Sequence, residues 1–192
     1  MIIGITGGTG CGKTTLLNEI RKLGGTVLDC DAIYHDLLQT DSNMLAAIET
    51  RFPGVVTGGN LDRKKLGSIV FADENALQDL NRITHASVKA EVLRRLENAP
   101  ALVAIDAIGL HDGGLASICD ITVAITAPVE DRIARLVARE GISAQYAKNR
   151  IAAQHSDLWF REKCHVTLEN NGSLSDFQAK CVAFLAETRY NK

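Results

Sequence analysis

The stretch Gly7-Gly8-Thr9-Gly10-Cys11-Gly12-Lys13-Thr14 constrains the chain more than any other. It fits G-x-x-x-x-G-K-[ST], a loop that joins a strand to a helix N-terminus and cradles phosphate in nucleoside triphosphatases and kinases. Both flanks agree. Ile2–Thr6 is a short apolar run that predicts a buried strand, and Leu16, Leu17, Ile20 and Leu23 recur at helical spacing. Glycines let successive backbone N–H groups point inward, and the helix dipole adds positive potential. Gly8, Thr9, Gly10, Cys11, Gly12, Lys13, Thr14 and Thr15 are therefore candidate residues for binding the phosphates of a nucleotide. Lys13 is placed to reach the β- and γ-phosphates, and the Thr14 hydroxyl to ligate Mg²⁺. A chance glycine-rich turn would explain neither flank.

Further strand-like runs follow at residues 26–30 and 101–106, at Ile121–Thr126 and at Val166–Glu169, with helical patterns between them. This alternation predicts an α/β chain with a five-stranded parallel sheet flanked by helices, the fold of P-loop kinases. Leu77, Leu80, Ile83, Val88, Val92 and Leu96 predict a long helix before the third strand. Ile133, Leu136 and Val137 predict one after the fourth, and Phe177, Cys181, Phe184 and Leu185 a last one; all read as core contacts. Two stretches exceed a simple crossover. Residues 32–99 predict a helical insertion with turns at Phe52-Pro53-Gly54 and Gly58-Gly59-Asn60. Residues 132–164 predict a basic helical lid with a break near Gly141. The whole reads as one domain, with core segments 1–31, 100–131 and 165–192.

Composition narrows the partners. A net charge of −2 gives no basic excess for nucleic acid or an acidic membrane. The five cysteines are odd in number, widely spaced and without C-x-x-C, which argues against a disulfide framework and a zinc site. A reduced, cytoplasmic location is the simplest expectation. With a strand and the phosphate loop at its start no cleavable signal is expected there, and the apolar run 101–105 is too short for a bilayer. A monomer or weak homo-oligomer with a small-molecule acceptor is expected.

Several side chains could do chemistry at the carboxyl ends of the strands, where open α/β sheets bind ligands. Strand alternation through Asp29-Cys30-Asp31 would put both carboxylates on one side. Asp31 is a candidate base for an attacking hydroxyl, although the position also suits a helix cap. Asp106, closing the third strand, resembles a Walker-B carboxylate and is a second candidate for Mg²⁺. Arg132, Arg135 and Arg139 share a helix face, followed by Arg150, Arg161 and Lys163. Arginine forks match the equatorial oxygens of a phosphoryl transition state, with Arg139 the best single candidate. A solvated face partnered by Glu130 and Glu140 is the plainer reading. By themselves, Arg63 and His85 read as structural or solvated. Cys11 could be oxidation-sensitive if loop N–H groups lower its pKa, and Trp159 and Phe160 would pack the lid or its hinge.

Together these residues resemble the dephospho-CoA kinase family over nearly the whole chain. The resemblance rests on the segment from Ile3 to Thr14, on Asp29-Cys30-Asp31, and on Leu61-Asp62-Arg63-Lys64-Lys65-Leu66-Gly67-Ser68-Ile69-Val70-Phe71. Ile83-Thr84-His85, Arg135-Leu136-Val137-Ala138-Arg139, Arg150-Ile151-Ala152-Ala153-Gln154 and Glu169-Asn170-Asn171-Gly172 complete it. The resemblance implies phosphorylation of the ribose 3′-hydroxyl of dephospho-CoA by MgATP. It makes Asp31 the base, brings Asp29, Arg63 and His85 to the acceptor, adds Arg139 from the lid, and puts Asn170 near the adenine of ATP. It also makes 32–99 the acceptor-binding insertion. The chain departs from the family where Ala107-Ile108-Gly109-Leu110-His111-Asp112 replaces Pro-Leu-Leu-Phe-Glu. It departs again at Ala86, which stands for a proline, and around Cys164-His165, where an acidic residue is usual. The phosphate-transfer residues are intact, whereas these changes bear on the acceptor side. A related P-loop kinase acting on a nucleoside, nucleotide or other small alcohol is the second reading. A nucleotide-dependent switch lacks an Asn-Lys-x-Asp motif, and a non-catalytic binder would not need Lys13 and Thr14.

Overall fold

The computed structural model describes residues 1–190, with side chains to 188. Contacts divide the chain into two compact units. The first takes Met1–Leu28, Ala99–His111 and the chain from Leu115 onward; the second takes Asp29–Asn98 and Asp112–Gly114.

In the first unit, β1 (Ile2–Thr6), β2 (Thr26–Asp29), β5 (Val103–Asp106), β6 (Ile121–Thr126) and β7 (Val166–Glu169) form a parallel sheet in the order β2-β5-β1-β6-β7. β1 is central, in register with β5 through Ile2–Val103 and with β6 through Ile3–Ile121. The chain thus runs to opposite sides of β1, and the loop after β1 leaves at the point where strand order reverses. β1, β5 and β6, inside the sheet, are largely apolar and buried because both faces of a parallel sheet are covered, whereas the edge strands β2 and β7 are less buried and end on Asp29 and Glu169. α1 (Lys13–Lys22) and α9 (Leu174–Tyr190) pack together over one cluster of buried side chains, including Ile3, Ile5, Leu16, Ile20, Ile125, Phe177 and Cys181. α6 (Val129–Glu140), α7 (Ala144–Ala152) and α8 (Asp157–Lys163) fill the stretch read as a lid. α6 ends on Gly141 in the left-handed region, at φ 67°. No helix among the described residues is long and apolar enough to cross a membrane.

The second unit holds α2 (Cys30–Thr40), α3 (Ser42–Arg51), the hairpin of β3 (Val56–Thr57) and β4 (Asn60–Leu61), α4 (Arg63–Val70) and α5 (Glu74–Leu96). Each helix opens on an aspartate. The side chains of Asp29, Asp41, Asp62 and Asp73 accept N–H groups of the first turn, each worth about 1 kcal/mol. α5 buries Thr84, Val88 and Val92 along one face, and α2, α3 and α4 pack on it.

Two expectations change. Cys30 opens α2 instead of ending a strand, because the Asp29 Oδ1 caps Asp31 and Ala32 and turns the chain into a helix. Strand alternation therefore does not relate Asp29 to Asp31. Val137, read as a core contact, is 36% exposed, because α6 buries Arg132 and Leu136.

On α5, Glu91 accepts from Arg94 Nε and Nη2 and from Arg95 Nε at 2.7–2.8 Å. These arginines hold its carboxyl at about 2, below its ordinary 4.5. A carboxyl depressed on folding stabilises above its unfolded pKa, and that contribution is lost as pH falls through the folded one. Thermal melts of the parent should lose stability between about pH 4.5 and 2 more steeply than those of Glu91→Gln. Parallel curves would remove this assignment.

Candidate active site

The phosphate loop is built by three glycines at positive φ, Gly7, Gly10 and Gly12. Gly12 precedes α1 at φ 99° and ψ 26°, and no side chain caps the helix. Gly12 itself thus offers no capping side chain, the Thr15 N–H turns back to the Gly12 carbonyl at 3.1 Å, and the positive end of this ten-residue helix adjoins the loop, an arrangement that suits an anion. The Lys13 Nζ donates to the Gly7 carbonyl at 3.0 Å, which folds the ammonium back across the loop. Asn170, only 6% exposed, donates its Nδ2 to the Cys11 carbonyl at 2.9 Å. A Cβ on Gly12 would lie 2.4 Å from that nitrogen. Gly12→Ala combines this collision with a left-handed backbone, so ADP affinity should fall at least about tenfold. An ADP titration of the variant matching the parent would contradict this geometry.

A glycine backbone, a helix N-terminus and one ammonium are groups that suit the phosphates of a nucleoside triphosphate. Mg²⁺ also fits. Thr14 is exposed in the first turn of α1, and Asp106 pairs in register with Ile5, two residues before Gly7. Among the described residues no cluster of three His, Cys, Asp or Glu could hold a metal alone.

Cys11 is buried, and burial raises its thiol pKa against the lowering influence of Lys13. This reverses the expectation of an activated cysteine, because desolvation outweighs the loop's positive potential.

The arginines separate by task. Arg132 is 2% exposed; its Nε donates to the Thr9 carbonyl at 2.8 Å and its Nη1 pairs with Asp157 at 3.0 Å. Arg135 Nη1 reaches the Gly10 carbonyl at 3.2 Å, and Arg150 Nη2 reaches Thr9 Oγ1 at 3.4 Å. Arg139 points to Glu140, which also takes Arg150. These two hydrogen bonds hold the Glu140 carboxyl below its usual range. Arg161 bonds Glu169 at 2.6 Å. The basic stripe is thus not a uniform solvated face. Its buried member, Arg132, is held by acceptors far away in sequence. Gln154, given no role from the sequence, accepts the Thr9 N–H at 2.8 Å.

Beyond the ends of β6 and β7 lies a cavity of about 310 Å³, lined among others by Thr126, Pro128, Asp157, Arg161, Glu169 and Asn171. His111 Nε2 lies 3.4 Å from Cys164 Sγ and its ring meets Trp159 edge-on, with centroids 5.8 Å apart. Trp159 in turn stacks on His155 at 3.7 Å, and Phe160 is fully buried.

In the second unit Asp31 is exposed in the first turn of α2, and Asp29 provides the cap. Arg63 opens α4 and its Nη2 lies 3.4 Å from His35 Nδ1. His35 and Asp31 are one helical turn apart on α2, so they share a face. That i, i+4 spacing was visible in the sequence and could have flagged His35. Burial raises the neighbouring Tyr34 hydroxyl pKa, opposed by Arg63. His85 lies half-buried on α5.

A family model described as dephospho-CoA kinase (CoaE) matches residues 1–176. A protein of Thermus thermophilus named dephospho-CoA kinase is 35% identical over 188 residues, covering 97% of this chain and 91% of that one. A crystal structure from Thermus thermophilus superposes with a TM-score of 0.81 at 34% identity, covering 97% of each chain. Dephospho-CoA kinase from Campylobacter jejuni superposes at 0.68 with 25% identity, over 100% of this chain and 98% of that one.

Proposed function

The chain belongs to the dephospho-CoA kinase family, and from that premise we propose that it transfers the γ-phosphate of ATP to the ribose 3′-hydroxyl of dephospho-CoA, the last step of CoA synthesis. The observation that carries this reading is the phosphate loop itself. Lys13 and the uncapped end of α1 converge there, in a chain that matches the family along most of its length.

In this reading the backbone of Gly8–Thr15 and the Lys13 ammonium hold the phosphates. Asp31 accepts the proton of the attacking hydroxyl. Its support is its exposed place in the first turn of α2, where capping falls to Asp29. Arg63, His85 and the second oxygen of Asp29 orient the acceptor, and Arg139 joins from the lid by exchanging Glu140 for phosphoryl oxygen. The adenine of ATP enters the cavity beside Asn171, while Asn170 fixes the loop behind it. Thr14 would hold Mg²⁺, with Asp106 a second candidate, and the ion would supply positive charge to the transferring phosphate. Placing reactants and charges in this way is most of phosphoryl-transfer catalysis.

A coupled ADP-release assay tests the reading. Dephospho-CoA should support turnover well above uridine, cytidine and nucleoside monophosphates. Turnover with a nucleoside and none with dephospho-CoA would overturn it.

A further inference from the structure

Thr9 is held from three directions: by Arg132 Nε on its carbonyl, by Gln154 Oε1 on its N–H and by Arg150 Nη2 on its hydroxyl. Of these three, Arg132 is the most deeply buried. Its Nη2 has no hydrogen-bond partner among the described residues and packs on Gly8, where a Cβ would lie 2.1 Å from it. A buried guanidinium with one unsatisfied nitrogen is costly, and an apolar side chain of like volume would serve stability at least as well. Its bonds, however, fall on the limb of the loop that leads into the phosphate cradle.

We infer that Arg132 is a positioning residue for the ATP phosphates: through its Nε it fixes the Gly8–Thr9 limb of the loop, with Asp157 as a secondary partner. The inference rests on the reading of Gly7–Thr14 as the ATP site, and it needs no particular acceptor. Gly8 belongs to the same device. Only a residue without Cβ lets the pinned guanidinium lie against the loop.

The test uses substitutions that split the contacts. Glutamine puts its Nε2 where arginine has Nε, so Arg132→Gln keeps a donor for Thr9 and loses Asp157. Arg132→Met keeps bulk and loses both. Isothermal titration with ADP and steady-state kinetics are read together. Arg132→Met should raise the ADP Kd and the ATP KM about tenfold or more, with the KM for dephospho-CoA within about twofold. Arg132→Gln should recover most of that loss. A merely structural role would lower Tm in Arg132→Met and leave the ADP Kd and ATP KM unchanged, which overturns the inference. So does a glutamine variant as impaired as the methionine one. If Arg132→Met does not fold, Gly8→Ala decides. It should weaken ADP binding strongly in the parent and much less in Arg132→Gln, where Nη2 is gone. Equal losses in both backgrounds overturn the inference. The ADP titrations read this device even if dephospho-CoA proves not to be the acceptor, so the two readings fail separately.

Discussion

Asp31→Asn should lower kcat by about 10²–10⁴-fold, the usual contribution of a well-placed general base, while ADP affinity stays at the parent value. The substitution is nearly isosteric. It leaves α2 intact, because the cap bonds run from Asp31 and Ala32 N–H to Asp29 and not to the Asp31 side chain. What folding loses is the attraction of one first-turn carboxylate to the helix dipole, roughly 0.3–1 kcal/mol. A protein that melts normally, binds ADP normally and does not turn over isolates the proton-accepting role. Near-parental turnover in Asp31→Asn would remove Asp31 from the chemistry.

Lys13→Ala should have the second-largest effect. A cation placed beside the transferring group stabilises its developing charge, and removing one such donor typically costs about 10²–10³ in kcat. The Lys13 Nζ already bonds the Gly7 carbonyl at 3.0 Å, so truncation also removes one hydrogen bond, about 0.5–1.5 kcal/mol of stability. The activity loss should therefore far exceed what a modest fall in Tm explains. Lys13→Arg should not restore it, because a planar fork cannot take the place of a compact ammonium at the end of a flexible stem. Retention of kcat in Lys13→Ala, measured at saturating ATP, would contradict the role assigned to the loop.

The sheet was legible because each strand is a short apolar run between helical patterns, and the loop because its residue types admit few other conformations. Residues 26–30 were misread by one position. Alternation was extended through Asp29, whose short acceptor side chain is a helix-start signal competing with strand. The β3–β4 hairpin was read as a turn, since two residues a side leave no period to detect. Arg132 shows a different limit. Its spacing with Arg135 and Arg139 reads as a solvated or catalytic stripe. Its burial is decided by Thr9 and Asp157, 123 and 25 residues away, which no local pattern contains. The same holds for Asn170, whose amide is spent on the Cys11 carbonyl 159 residues earlier. Cys11 was misjudged because the sequence shows the neighbouring positive charge and not the desolvation that outweighs it.

His111 and Cys164 are 53 residues apart in the sequence, where they were read separately. They lie 3.4 Å apart in the structure, a contact that no local pattern contains. The sequence reading attached both to the acceptor separately.

The most direct measurement is the product itself. The protein is incubated with ATP, Mg²⁺ and dephospho-CoA, and the acceptor is followed by mass spectrometry and phosphorus NMR. The account predicts gain of one phosphoryl group, with a new phosphomonoester at the ribose 3′ position formed in step with ADP. Accumulation of ADP with dephospho-CoA unchanged, or a phosphate on any other hydroxyl, would contradict it.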